Sequence, residues 1–385
     1  MAGFLKKVER GIDLLLHNPR ELRGAVGRRL RRRLRLDYRF GRSGKAAGPF
    51  LVSLRLTNRC NLRCRMCFLY GELGEGRPVE ARFSGPEDMS LADWEAAVDS
   101  VASRKPSIGL TGGEPTLYRH CFELVRHIKD QGLYCGMVTN GTLLGEKAED
   151  VVTSGLDSLW ISLDGPAEVH DRIRGVSGAF RRTVEGALAV AEAKKKAGSR
   201  RPEVGVTFTL VHDNHRYLED LVATAVRVGA DEIHFNHLLF WTEDMTRAQE
   251  NLFGPEIPCA PSGTDGLAGL DPREVHAALE RVRRRSTPLR IRFLPDLSLE
   301  ETVAYYGTPA RFIKSDRCLR PWAGVYIQPN GDVSPCLNYV AGNVKERPLP
   351  EIWNGERFRR FRRLLRKHRA FPACSRCCGL FDESI

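Results

Sequence analysis

Three cysteines, Cys60, Cys64 and Cys67, stand within eight residues in the stretch CNLRCRMC, directly after the apolar, alternating run FLVSLRLTN. Thiolates are ligands for zinc and for iron–sulfur clusters. Three of them are odd in number for disulfides and one short of a closed four-thiolate site. A cubane cluster held by three cysteines leaves one iron without a protein ligand, open to a substrate or cofactor. A zinc knuckle closed by a distant Cys or His is the competing reading of the spacing. A second group, Cys336, Cys374, Cys377 and Cys378, lies near the C-terminus, with Cys318 just before it. The other three of the eleven cysteines, Cys121, Cys135 and Cys259, are scattered and read as core or incidental thiols.

These residues need a scaffold, and the pattern from residue 51 onward supplies one. Short apolar runs at 51–56, 107–111, 135–139, 158–163, 204–210 and 232–239 read as strands. Helical stretches near 90–104, 118–131, 143–154, 179–197 and 214–228 separate them. Ser90 with Asp93 marks the start of the first of these helices. Strand and helix alternating about six times predict an α/β fold with parallel strands and right-handed crossovers, an open sheet or a partial barrel. The cysteine loop then falls at the C-terminal edge of the sheet, where such folds build their sites. Residues 241–289 are polar and broken by Gly and Pro, a bridge with one helix at about 271–285. VYIQPNGDVSPC places two short strands around the turn Asn330-Gly331. A basic amphipathic helix, 351–369, separates this hairpin from the last three cysteines.

The loops after the next strands carry further motifs. GGEP (Gly112, Gly113, Glu114, Pro115) follows the second strand, TNGT the third and SLDG the fourth, with HDRIRG after that. In this order, together with the Cys60–Cys64–Cys67 spacing, they resemble the radical S-adenosylmethionine (SAM) superfamily over about 51–240. The resemblance implies a partial (β/α)6 TIM-type barrel and a [4Fe–4S] cluster on Cys60, Cys64 and Cys67, whose open iron is chelated by SAM. It implies that Gly112, Gly113 and Glu114, with Pro115, receive the SAM amino group. Ser162 and Arg174 would take its carboxylate, and Asp164 and Asn140 would face the ribose. For Asn140 a turn role in Asn-Gly is the alternative. One departure stands out: the residue before the third cysteine, usually aromatic in this family, is Met66. The implied chemistry is reductive cleavage of SAM to a 5′-deoxyadenosyl radical that abstracts a substrate hydrogen atom, with an electron donor such as flavodoxin or ferredoxin.

Residues 316–378 resemble the SPASM domain or its shortened twitch form, which carries auxiliary iron–sulfur clusters. The thiols present imply one auxiliary [4Fe–4S] cluster on Cys318, Cys336, Cys374 and Cys377, with Cys378 able to replace Cys377. Structural zinc in the same thiolates is the alternative. A closed cluster suits electron transfer and a net oxidation of the substrate. The division expected is an arm with linker (1–50), a radical SAM core (51–240), a bridge (241–309) and an auxiliary-cluster domain (310–385).

The bulk properties bound the rest. The formal net charge is +12, and residues 1–50 hold fourteen Lys and Arg against four acidic residues. The basicity therefore belongs to an amphipathic helical arm. Packing on the barrel, an anionic membrane surface and, less suited for want of aromatic side chains, nucleic acid are its readings. The chain shows no membrane-spanning run and no signal peptide, which predicts a cytoplasmic protein, peripheral on the membrane if the arm anchors it. Three substrate classes follow in order: a ribosomally made peptide, a small natural product or membrane lipid, and RNA. A zinc-stabilised binding module is the non-enzymatic alternative.

Overall fold

The protein is described from a computed structural model, which covers residues 38, 42–67, 88–259, 261–262, 267–336 and 339–381. The amphipathic part of the arm lies outside these residues. Ten strands form one sheet: β1 (Leu51–Arg55), β2 (Ser107–Thr111), β3 (Tyr134–Thr139), β4 (Ser158–Ser162), β5 (Glu203–Leu210), β6 (Glu232–His237), β7 (Arg290–Leu294), β8 (Gly324–Ile327), β9 (Asp332–Ser334) and β10 (Gly342–Asn343). Their order is β10-β9-β8-β1-β2-β3-β4-β5-β6-β7. β1 to β7 run parallel, each beside the next in sequence. Such pairing needs crossover connections. The helices that supply them are α1 (Leu91–Ala102), α2 (Cys121–Asp130), α3 (Leu144–Thr153), α4 (Ala167–Arg174), α5 (Ala179–Lys196), α6 (Leu218–Arg227), α7 (Glu243–Phe253) and α8 (Pro272–Arg284). The fold is thus α/β with an open, mostly parallel sheet.

Local chemistry explains the element boundaries. Ser90 and Asp93 form a reciprocal capping box at the start of α1. α4 ends at Gly175, which is left-handed at φ 71°. The strands carry Val, Ile, Leu and Phe inward, and Leu54, Leu159, Ile161, Val206, Phe208 and Phe235 are fully buried in one core.

The segment 241–309 is more structured than its composition suggests. Beside the expected helix near 271–285 (α8) it contains α7 and the parallel strand β7, paired to β6. β7 reads RIRFL, a five-residue run with two arginines that lacks a continuous apolar signal. It is followed by α9 (Leu299–Gly307) and α10 (Arg320–Ala323).

The hairpin at Asn330-Gly331 forms as expected. β8 and β9 pair antiparallel, with Gly331 at φ 92°. β8 also pairs in parallel with β1, Leu51 opposite Gly324, so the C-terminal region extends the same sheet. The basic helix expected at 351–369 divides into α11 (Leu349–Trp353) and α12 (Glu356–His368). The break falls at Asn354-Gly355. The Asn354 side chain accepts from the Ala46 backbone N–H (3.0 Å) and donates to the Ala46 carbonyl (2.9 Å), which ties down the linker before β1. No described helix is long and apolar enough to cross a membrane.

Candidate active site

The cysteine loop sits between the C-terminal end of α4 and the loop after β2. Arg63 and Arg65 donate their backbone N–H groups to the carbonyls of Arg174 (3.1 Å) and Ile173 (2.9 Å), satisfying the last turn of α4. On the other side, Gly113 donates to the Thr57 carbonyl and Glu114 to the Arg59 carbonyl, both at 2.8 Å. The glycines make this approach possible. A Cβ on Gly113 would lie 2.3 Å from the Arg59 carbonyl oxygen, and one on Gly112 2.9 Å from that of Thr57. The left-handed Gly175 backs the same loop, where a Cβ would meet the Arg63 oxygen at 2.3 Å. A Gly113→Ala variant is therefore expected to lose about 1–3 kcal/mol of stability by overpacking and to hold less iron at the first cluster. Thermal melting with iron analysis checks this, and unchanged values would mean the loop has room to give.

Cys60, Cys64 and Cys67 share one small apolar cluster with Leu62, Met66, Val176 and Ala179. Burial pushes Cys64 up to about 11, against the pull of Arg174, and also raises Cys60, with Cys67 adding to both. Both groups are held as thiols until a metal's charge displaces the proton. Among the described residues no three Cys, His, Asp or Glu side chains close around a single ion. A cubane cluster takes one thiolate per iron and needs no such convergence. Three clustered thiols on one loop are a donor set that fits a cluster with an open iron.

The other residues singled out from sequence converge on this loop. Glu114 is buried. Its carboxylate accepts from Thr139 Oγ1 (2.7 Å), Thr116 Oγ1 (2.7 Å), the Thr116 N–H (3.1 Å) and the Asn140 N–H (2.7 Å). Burial raises its pKa while these donors oppose the rise. Four bonds turn this carboxylate inward, so the loop presents backbone to a ligand. Pro115 opens a short 3-10 turn behind it. Asn140 forms its turn through Thr142, whose N–H and Oγ1 donate to Oδ1, and its Nδ2 donates to Asn61 Oδ1 (2.8 Å). Asn61 lies inside the cysteine loop and in turn donates to Thr142 Oγ1 (2.8 Å). The sequence reading missed Asn61, although its place between Cys60 and Cys64 was the available signal.

Ser162 ends β4, buried. Asp164, fully buried, accepts from Arg174 Nε and Nη2 at 2.5 Å each and from the Thr209 N–H (3.1 Å). Arg174 also reaches the Cys64 sulfur at 3.8 Å. Burial works against its charge, but Asp164 and Cys64 outweigh that and leave its pKa raised. This guanidinium thus puts a fixed positive charge beside the Cys64 thiol. His170, from HDRIRG, accepts the Asp164 N–H at Nδ1 (3.1 Å), and burial lowers it to about 3.

The second cysteine group is brought together from three segments. Cys318, Cys336 and Cys374 pack on the main core. Burial pushes Cys318 up to about 12, with Cys336 and Cys378 adding to the rise. Cys374 is also raised well above the usual thiol range, again by burial, with Cys318, Cys336 and Cys259 contributing. Cys259 is thus near this group, whereas Cys121 and Cys135 are buried in the core as expected. Cys377 and Cys378 both lie near Tyr305 and Tyr326.

Between the two cysteine groups lies a cavity of about 460 Å3. Met66 lines one part of it and Cys378 another, with Arg292, Arg320, His234 and His237 among the polar residues. Its volume is that of a small-molecule site.

Residues 54–225 match the model of the Radical SAM superfamily, and residues 318–378 match that of SPASM, an iron–sulfur cluster-binding domain. The AdoMet-dependent heme synthase of Nitratidesulfovibrio vulgaris is 30% identical over 336 residues, covering 81% of this chain and 81% of that protein. The chain belongs to the radical SAM superfamily. As a radical SAM enzyme it uses a [4Fe–4S] cluster and SAM, with iron–sulfur chemistry in its SPASM domain as well. A second relative is the PqqA peptide cyclase of Xanthomonas euvesicatoria pv. vesicatoria, 30% identical over 332 residues, covering 82% of this chain and 77% of that one. Among solved structures, Streptococcus suis SuiB bound to its precursor peptide SuiA has the same fold. It matches at TM-score 0.59 and 17% identity, over 94% of this chain and 79% of that one.

Proposed function

We propose that this enzyme removes a hydrogen atom from a carboxylate-bearing substrate in the cavity between Met66 and Cys378 and oxidises it. The cavity lining carries the reading: it has two arginines, Arg292 and Arg320, and no Asp or Glu among the described residues. Glu232, which does not line the cavity, pairs with Arg292 at 2.8 Å, and Arg320 lies over the Tyr326 ring at 5.1 Å. Guanidinium groups suit a carboxylate because they donate in a planar fork. Leu238, Leu294 and Phe381 supply apolar wall, so the substrate is an amphipathic acid.

The cluster and SAM, when bound, supply the 5′-deoxyadenosyl radical, with the electron coming from a donor of the flavodoxin or ferredoxin kind. Cys60, Cys64 and Cys67 hold that cluster, and the backbone of Gly112 and Gly113 receives the SAM amino group. Ser162 and Arg174 would take its carboxylate, and Asp164 and Asn140 would face its ribose. Cys318, Cys336 and Cys374, with Cys377 or Cys378, hold one auxiliary cluster on the far side of the substrate. Met66 covers the near side. The resemblance to heme synthases supports a small acid such as a porphyrin propionate. A peptide is the second reading, favoured by the 30% identity to a peptide cyclase; an acidic side chain would then meet the same arginines.

The test is anaerobic incubation of reduced enzyme and SAM with an iron porphyrin bearing propionates in one arm and a pool of glutamate-containing peptides in the other. The expected result is 5′-deoxyadenosine formation above the substrate-free rate in the porphyrin arm, with a product lighter by hydrogen or carbon dioxide. Stimulation in the peptide arm alone selects the second reading. No stimulation in either arm overturns the carboxylate assignment.

A further inference from the structure

His237 is the last residue of β6, 3% exposed, and lines the cavity. Its two ring nitrogens differ in surroundings. Nδ1 lies 2.7 Å from the hydroxyl of Tyr306 on α9. Nε2 is buried and has no hydrogen-bond partner among the described residues. A buried polar atom without a partner costs about 1–3 kcal/mol, and here the atom belongs to a ring on the wall of the cavity.

We propose that His237 is a substrate-orienting residue whose Nε2–H donates a hydrogen bond to an oxygen of the acid bound beside Arg292 and Arg320. This rests on the carboxylate reading above. The tautomer follows from counting donors. The Tyr306 hydroxyl has one hydrogen to give, and no acceptor for it other than His237 Nδ1 occurs among the described residues. If the hydroxyl donates to Nδ1, the imidazole proton sits on Nε2, and both groups are satisfied once an acceptor enters the cavity. In the reverse arrangement the hydroxyl hydrogen and Nε2 would both lack partners.

The neighbours agree with a neutral pair. Burial lowers His237 to about 3, with Asp296 opposing and His276 assisting. Burial also holds Tyr306 well above the usual phenol range, with Tyr305 adding to the rise and Arg376 opposing it. Tyr305 packs beside both, tilted against His237 (5.3 Å between ring centroids) and edge-on to Tyr306 (5.1 Å), and donates its own hydroxyl to the Leu238 carbonyl at 3.0 Å. A fixed, neutral donor in a cavity that also carries two arginines discriminates by hydrogen-bond geometry as well as charge. An analogue lacking the oxygen would leave Nε2 unpaired.

The experiment uses 15N-histidine-labelled holoenzyme with acetate as the probe, chloride as the ionic-strength control and methylammonium as the cation of matching size. Loss of one of the ten histidine signals in His237→Gln assigns the residue. If that variant holds no iron and has not folded, Tyr306→Phe provides the assignment by shifting the same signal. The expected spectrum has a pyrrole-type Nε2 and a hydrogen-bonded pyridine-type Nδ1, unchanged between about pH 5 and 8 because the folded pKa lies below the usual value near 6.5. Acetate should move the Nε2 signal saturably, and chloride and methylammonium should not. An Nδ1–H tautomer, or an Nε2 signal indifferent to acetate, overturns the proposal. Failure of the carboxylate reading shows separately, as absence of substrate-stimulated 5′-deoxyadenosine.

Discussion

Replacing Cys60, Cys64 and Cys67 together with alanine abolishes 5′-deoxyadenosine formation, leaving only the background of reductant and SAM without enzyme. The three thiols occupy one loop and one apolar cluster, which they share with Met66 of the cavity wall. None has a substitute nearby, since Cys121 and Cys135 are buried in the core, Cys259 lies near Cys374, and the remaining cysteines belong to the C-terminal region. Wild-type protein should hold about eight irons, two cubane clusters, and the triple variant about four. Fold survives the change because the loop is held by backbone bonds, from Arg63 and Arg65 to α4 and from Gly113 and Glu114 to the loop after β1. Melting should therefore show one cooperative transition. Undiminished cleavage of SAM would remove this loop from the mechanism. Retention of about eight irons would place two clusters on the C-terminal thiols, and zinc in place of iron would make that group structural.

The second large effect is on folding. Arg376 lies inside CSRCC, between the auxiliary cysteines, and is fully buried. Nε donates to the Tyr305 carbonyl (2.6 Å), Nη1 to those of Arg311 (2.8 Å) and Ser375 (2.7 Å), and Nη2 to those of Ala304 (3.0 Å) and Thr308 (2.8 Å). Three of these carbonyls belong to the last turn of α9 and its cap, the negative end of the helix dipole. Burial lowers the Arg376 pKa to about 10, so the charge persists at neutral pH. Arg376→Ala removes every one of these donors and leaves buried carbonyls without partners, an expected loss of about 3–5 kcal/mol. Lysine, with a single ammonium, cannot span the same carbonyls and should recover only part of it. Denaturant titration reads the loss. Because α9 carries Tyr305 and Tyr306 and the CSRCC loop carries three of the C-terminal thiols, auxiliary iron content should fall along with stability. A variant of wild-type stability would show that water replaces the guanidinium at little cost.

The first-cluster loop was legible because its residues are consecutive and each following motif sits immediately after a strand. Apolar alternation marks the strand, and the motif is what stands at its C-terminal end. The hairpin at Asn330-Gly331 and the capping box at Ser90 were legible for the same local reason. β7 was not, since it is a five-residue run with arginine at 290 and 292, and only Ile291, Phe293 and Leu294 mark it as a strand. Arg376 was visible only as a charged residue among cysteines. Its burial depends on α9, whose carbonyls it meets across more than sixty residues of chain.

The sequence by itself determined the chemistry: three thiols on one loop, glycines and a glutamate after β2, and an alternating strand–helix order that puts them at one edge of a parallel sheet. Spacing along the chain is enough for this, because ligands on one loop meet whatever the rest of the molecule does. Only the tertiary structure decided where a substrate goes. Met66, His237, Arg292, Arg320 and Cys378 come from five separate segments. They share a cavity because β5, β6 and β7 lie side by side, because β8 pairs with β1, and because Arg376 fastens the last cysteine loop to α9. Each of those contacts joins residues distant in sequence, whose side chains acquire a common surroundings only once the backbone between them has been ordered.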